Sequence, residues 1–457
     1  MKVAVVGGGG FRTPVVWESV AGLGDAIAVD EVVLQDRSEA RLDRIRSVIH
    51  GLIRERGGTG PPVRTTTVIE DAVEGADFVC CAIRVGGLEA RIVDETVPLA
   101  LGVLAQETVG PGGVAFALRT VPVMVAIAEA VARAAPDAWF LNFTNPAALV
   151  TEAVRPVLGD RVVGVCDAPA ALCARAAAAL QWPMGSLRFD YAGLNHLGWL
   201  LAVNAEGEDL LPGLLSDEGR LRSIAEVRLL GSGTVRQARA LPNEYLVYYE
   251  RSDEIVEAFR RAGETRGQQV LSQQAAFYGS GGHTPEKALA SWRAARDARH
   301  GTYLSEAWAS ADRTGDSPDI DGAPSQEDGP GEGGYAAIAA AFIRAVGVGC
   351  DTPLILDVAN RGRLPFLDDD AVVEVSCVAG SDGVSIVPGP SLPGRPRALV
   401  ERMKDVERTT IRAATERSAG LALEAIAGHP LVRSRDVAER ILTGYLDRHT
   451  DLRERLR

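Results

Sequence analysis

The chain has 457 residues, 46% hydrophobic and 24% charged, a size and composition that point to two packed globular domains rather than one core. Its 48 Lys and Arg against 61 Asp and Glu leave a net charge of -13. That excludes a general nucleic-acid surface, but not a local anion site built from a few arginines.

The N-terminal run "KVAVV" reads as a first strand rather than a signal peptide, followed by glycines and a helix pattern from about Pro14. "VDEVVLQD" is a second strand and "RSEARLDRIRSVIHGLIRE" an amphipathic helix. "DFVCCAI" reads as the third strand, "VPVMVAIAEAVARAA" as a helix, "AWFLNFTNPA" as a strand entering a turn, and "DRVVGVC" as the next strand. Strands alternating with helices predict an α/β fold with a Rossmann-like, doubly wound parallel sheet over residues 1–166. Beyond Cys166 the pattern mixes helices (around 219–229, 252–262, 284–298 and 395–427) with strands such as "AVVEVSCVAG" and "GVSIVPG". Residues 167–457 are therefore expected to form a second, mixed α+β domain that carries substrate, metal and oligomer contacts. Within it the Gly-, Pro- and Asp-rich stretch 312–334 reads as a flexible acidic insertion. The cysteines (Cys80, Cys81, Cys166, Cys173, Cys350 and Cys377) form no CxxC pair and suit a reduced, cytoplasmic protein. No stretch of about 20 apolar residues is free of charge, so no membrane span is expected.

The turn "VVGGGGFRTP" follows the first strand. Gly7, Gly9 and Gly10 suit a tight turn that lets a pyrophosphate approach the next helix, although Arg12 stands where a third fingerprint glycine is usual. Asp36 ends the second strand, where an acid binds ribose hydroxyls and repels a 2′-phosphate, favouring NAD. Further strings carry chemistry-bearing residues. "CAIRVGGLEARIVDE" holds Arg84 and Arg91, and "AQETVGPGGVAFALR" holds Gln106, Glu107 and three glycines. "NFTNPA" places Asn145 at a strand end, and "VCDAP" joins Cys166 to Asp167. "GLNHLGW" carries Asn195 and His196, and "LPNEYLVYY" carries Tyr245, Tyr248 and Tyr249. Each has a bland counterpart: buried Cys is often core, a lone His is usually a satisfied polar group, and tyrosines pack.

Taken in this order, "RVGGLEAR", "QETVGPGG", "NFTNP" and "NHLGW" resemble the family-four glycoside hydrolases, NAD- and metal-dependent 6-phosphoglycosidases that depart from two-carboxylate chemistry. The resemblance runs from the glycine turn to "DVANRGRLPFLDDDAVVEV". It implies Cys166 and His196 as ligands of a divalent metal, usually manganese, with Tyr245 as the base at sugar C2 and Asp167 as acid. It also implies Gly7, Gly9, Gly10, Asp36 and Arg84 on the cofactor side, and Arg91, Asn145 and Arg299 as contacts to a 6-phosphosugar. Near Arg299 the chain reads "DARHGTY", with His300 where the family has glycine. The implied reaction is hydrolysis of 6-phospho-β-glucosides through C3 oxidation, C2 deprotonation, elimination, water addition and re-reduction. Asp167 follows the pattern of the α-specific enzymes, so a 6-phospho-α-glucosidase is the alternative. A simple NAD-dependent dehydrogenase of a sugar or hydroxy acid is a further one. The family resemblance also implies a homodimer or homotetramer that acts on a small phosphorylated sugar, with neither nucleic acid nor membrane as partner.

Overall fold

Short apolar runs, each followed by a helix, build half of a single long sheet. The structure, a computed structural model, describes residues 1–279, 284–300, 302, 307 and 334–456. The expected acidic insertion lies outside these residues, apart from Gly334. The first six strands are β1 (Lys2–Val6), β2 (Glu31–Gln35), β3 (Val63–Thr66), β4 (Phe78–Cys81), β5 (Trp139–Asn142) and β6 (Val162–Gly164). They lie side by side in the order β6-β5-β4-β1-β2-β3, all parallel. "DFVCCAI" is thus the fourth strand, because the short edge strand "VRTT" lacks an apolar run and gives no pattern. Central strands are apolar throughout because helices cover both faces; Val3, Ala4, Val32, Val33, Val79 and Leu141 are all fully buried.

The same sheet continues into the second half of the chain. There it is built from β7 (Arg188–Leu194), β8 (Leu197–Ala205), β9 (Glu208–Asp209), β10 (Leu241–Pro242), β11 (Thr352–Ala359), β12 (Val372–Gly380) and β13 (Gly383–Ile386). The full path is β10-β8-β7-β12-β11-β6 and onward, with β13 on β12 and β9 on β8. Pairing turns antiparallel at β11, where Asp357 faces Gly164 of β6. A Cβ at residue 164 would lie 2.6 Å from the Asp357 carboxylate, so glycine there lets the two halves join. The helix Pro111–Ala134 is long and apolar enough to cross a membrane, yet 67% of its apolar window is buried inside the fold. Arg119 in its middle pairs with Asp94, both buried, so it is a core helix of this protein.

Two crossings set up the site. The strand order reverses between β1 and β4, which opens a crevice beyond their carboxyl ends. The helices Arg266–Gly279 and Pro285–His300 then fold back over the glycine turn: Tyr278 donates to Gly9 O at 2.9 Å, and Trp292 Nε1 to Phe11 O at 2.8 Å.

Candidate active site

A cavity of about 860 Å³ occupies that crevice. Its walls include Gly7, Gly10, Arg12, Asp36, Arg84, Arg91, Asn145, Cys166, Asp167, His196, Tyr245 and Arg299. Every expected site residue except Gly9 therefore faces one space, although the residues come from segments spread over nearly 300 positions.

The glycine turn is self-satisfied. Gly7 and Gly8 N–H both donate to Gln35 O at 2.8 and 2.7 Å, and Gly10 N–H donates to Gly7 O at 2.8 Å. Gly7 takes φ +84°, and a Cβ there would collide with Ala82 O. Gly9 lies beneath the wall: its N–H donates to Asp36 Oδ2 at 3.1 Å and its carbonyl accepts from Tyr278. The anion-facing end is thus the stretch Phe11–Thr13, where the helix Thr13–Ala21 starts with Pro14 in its first turn. Asp36 also accepts Ser38 N–H at 3.0 Å, which fixes the carboxylate at the end of β2. These residues fit the adenosine and pyrophosphate portions of a dinucleotide.

Next to the glycine turn the same cavity holds a cluster of guanidiniums, Arg12 among them. Arg91 is buried, with Nε on Glu95 at 2.7 Å and Nη1 on Glu107 at 3.1 Å. Arg84 pairs with the other oxygen of Glu107 and sits over the Phe116 ring, bracing the loop that enters the helix Pro111–Ala134. Arg266 reaches Arg299 O at 3.1 Å. Burial, and then the charges of Arg12, Arg91 and Arg266, pull the Arg299 guanidinium down to about 9. Several cations crowd one end of the cavity, which suits an anion with several oxygens.

The candidate chemical groups line the same cavity. Beyond β6 the chain leaves the sheet at Val165, so Cys166 and Asp167 occupy the strand's carboxyl end. Burial, then the charge of Glu374, then that of Asp167, raise the Cys166 thiol well above its ordinary value. His196 is in the two-residue turn that joins β7 to β8, with φ +62°, an uncommon conformation for a residue with a side chain. Burial pulls its imidazole down to about 3, so it is neutral, as a ligand must be. The Tyr245 ring stacks on it, centroids 3.6 Å apart and planes within 7°. Asn145 precedes Pro146 through a cis peptide and is half-buried on the wall.

The donor set fits a divalent metal. A buried thiol held protonated by burial and nearby acids would ionise beside a cation, and His196 Nδ1 is buried with no partner among the described residues. Among the described residues no three His, Cys, Asp or Glu converge as a ligand set, which leaves coordination positions for substrate oxygens and water.

The chain matches the model of the family 4 glycosyl hydrolases over residues 2–182 and that of the family 4 glycosyl hydrolase C-terminal domain over residues 191–432. The protein belongs to this family. Two family relatives from Bacillus subtilis (strain 168) are each 29% identical: a probable 6-phospho-beta-glucosidase and a maltose-6′-phosphate glucosidase. In both matches 98% of this chain and 96% of the relative are covered. The family 4 fold is equally recognisable in the 6-phospho-beta glucosidase of Thermotoga maritima, solved with manganese, NAD+ and glucose-6-phosphate. That structure aligns over 100% of both chains, with a TM-score of 0.79 and 25% identity. As a member of family 4 the protein is a glycosidase.

Several wall residues carried no distinct signal in the sequence. Arg266 and Tyr278 lie on a helix with no clear periodicity, and Tyr335 follows the acidic stretch. Glu374 did leave a mark, as a charged residue in the centre of the apolar strand "VVEVSCV".

Proposed function

We propose that this family 4 enzyme hydrolyses 6-phospho-β-glucosides, with NAD and a divalent metal, manganese by preference, as bound cofactors. One observation carries the proposal. A single cavity is walled by a dinucleotide turn, a Cys–His pair, a tyrosine in contact with that histidine, and a cluster of arginines. The solved relative holds manganese, NAD+ and glucose-6-phosphate, which supports the same ligands here.

A bound nicotinamide would supply a reversible hydride acceptor for the sugar, and a bound divalent metal would supply Lewis-acid polarisation of its oxygens. Cys166 and His196 would hold that metal. Gly7, Gly10, Asp36 and the start of the helix Thr13–Ala21 would hold the dinucleotide, with Gly9 anchoring Asp36 from below. Arg91 and Arg299 grip the 6-phosphate and Asn145 orients the sugar hydroxyls, so that C3 and C2 are presented in one pose. Arg84 keeps Glu107 between itself and Arg91 and so shapes the same end.

Once C3 is a ketone, the C2 hydrogen is acidic enough for Tyr245 to remove as a proton. A divalent metal held by His196, directly under the tyrosine ring, would supply positive charge that favours the phenolate this step requires. Asp167, half-buried beside Cys166, then gives a proton to the departing C1 oxygen, and water adds at C1. The Asp167 position also supports the α-specific reading, as does the equal similarity to the maltose-6′-phosphate glucosidase. The six cysteines are all free, in keeping with the cytoplasm. Self-association as a homodimer or homotetramer through helices of the second half completes the proposal.

The deciding experiment supplies paired α- and β-linked chromogenic 6-phosphoglucosides with NAD and manganese under reducing conditions, then repeats the assay with a chelator. Faster aglycone release from the β substrate, without net NADH, is expected. Stoichiometric NADH would favour a dehydrogenase, and release that survives removal of both cofactors would end the proposal.

A further inference from the structure

Tyr245, His196, Asn145 and Cys166 stand on four separate segments, and one buried chain of hydrogen bonds joins three of them and passes beside the fourth. Asn243 caps the turn that carries Tyr245: its Oδ1 accepts Tyr245 N–H at 3.1 Å. Asn243 Nδ2 donates to Tyr191 Oη at 3.0 Å, and Tyr191 Oη donates to Glu374 Oε2 at 3.1 Å. Glu374 Oε1 accepts from Asn195 Nδ2 at 3.2 Å, and Asn195 Oδ1 accepts Ala147 N–H at 3.3 Å, two residues past Asn145. Asn195 is the immediate neighbour of His196 in the turn. Glu374 is also the neighbouring acid that acts most strongly on the Cys166 thiol.

Tyr191, Asn243 and Glu374 are at most 1% exposed and Asn195 is 6% exposed, so water does not compete for these bonds. Space is reserved for the hydroxyl at the centre of the chain. Gly198, the second residue of β8, stands beside it, and a Cβ there would collide with the Tyr191 phenol. Such a buried polar chain is costly unless every member is satisfied, and here each link has its partner.

We infer that Glu374 and Tyr191 are positioning residues: Glu374 sets the turn that carries His196, and Tyr191 transmits that setting to the loop that carries Tyr245. The inference deepens the proposed reaction and rests on it. Asn243, Tyr191, Glu374 and Asn195 lie outside the cavity wall. The effect of the hydrogen-bond chain is to hold the tyrosine ring flat on the histidine ring, which fixes where the base stands relative to the sugar.

Tyr191→Phe removes one hydroxyl and keeps the ring. It cuts the chain between Glu374 and Asn243 and leaves Glu374 on Asn195. Exchange of the substrate C2 hydrogen with solvent is expected to slow about 10- to 100-fold, the scale of a misplaced catalytic group. The pre-steady-state formation of reduced nicotinamide, and manganese affinity of the free protein measured by calorimetry, should stay within about twofold of wild type. Glu374→Gln leaves the Tyr191 O–H facing an amide and disturbs the Asn195 bond beside His196; it should slow the C2 exchange and also weaken manganese binding about 10-fold, the lower end of the cost of losing an outer partner, because Glu374 reaches His196 only through its neighbour Asn195.

Wild-type C2 exchange in Tyr191→Phe would overturn the inference. So would equal slowing of nicotinamide reduction and C2 exchange, because that is the mark of a general structural lesion. Unchanged manganese affinity in Glu374→Gln would overturn it as well. The wild-type arm separates the two levels: no metal- and NAD-dependent aglycone release there removes the proposed function itself, whereas release with an unaffected Tyr191→Phe removes only the positioning role.

Discussion

Replacing Arg299 with methionine removes one guanidinium from the arginine end of the cavity and keeps most of its aliphatic stem. The charged neighbours that act on Arg299 are chiefly other arginines, Arg12, Arg91 and Arg266. The group is therefore held in a place that disfavours its charge until an anion arrives. A charge-assisted hydrogen bond contributes about 1.5–3 kcal/mol, and each 1.4 kcal/mol is about tenfold. The variant should lose about 10- to 150-fold in kcat/KM for the phosphorylated substrate, mostly through KM. Inorganic phosphate gives a direct readout. At 100 times its dissociation constant a ligand stabilises the native state by about 2.7 kcal/mol, so phosphate should raise the thermal midpoint of wild type well above that of the variant. Without phosphate, loss of a cation from among cations should not lower the midpoint. Unchanged kcat/KM together with equal phosphate protection would refute the phosphate role, as would a loss confined to NAD affinity.

Cys166→Ala should abolish manganese-dependent turnover and weaken manganese binding by calorimetry, with NAD affinity retained; undiminished metal affinity would exclude the thiol as ligand. Asp167→Asn should slow release of a poor, alkyl leaving group far more than that of a nitrophenol, which needs little protonation; an equal loss on both would remove Asp167 as the acid. Burial, and then Arg402, pull the His429 imidazole down to about 3, and Gly110 N–H donates to its Nε2 at 3.1 Å. The unfolded imidazole titrates near ~6.5, so between these values only the unfolded chain binds this proton. The contribution is intact above about pH 6.5 and falls by up to about 1.4 kcal/mol per pH unit on acidification toward the folded value. His429→Gln should flatten the loss of urea stability between about pH 6 and 4.5, and an identical slope would contradict the assignment.

Local patterns carry much of the first half of this protein. The strand–glycine–helix opening, Asp36 at the end of β2, and the alternation up to β6 are readable because each depends on neighbours a few residues apart. Where local patterning is weak, elements were lost: β3 is short and partly polar, and the helix Arg266–Gly279 has no strong apolar face. The motif strings named the candidate residues one at a time. None of them showed that Gly9 works from beneath Asp36 rather than on the cavity wall.

By itself the sequence determined the parallel half of the sheet, the family, and the identity of most residues proposed to act, since these reside in short strings with fixed local geometry. Only the tertiary structure decided that the sheet continues without a break into the second half, because pairing of β11 with β6 joins residues nearly 200 positions apart. It alone laid Tyr245 on His196 and gathered arginines 12, 91, 266 and 299 at one end of a cavity. It alone threaded Asn243, Tyr191, Glu374 and Asn195 into one buried chain. Such contacts depend on which strands become neighbours, and strand pairing is fixed by burial across the whole fold rather than by any local run of residues.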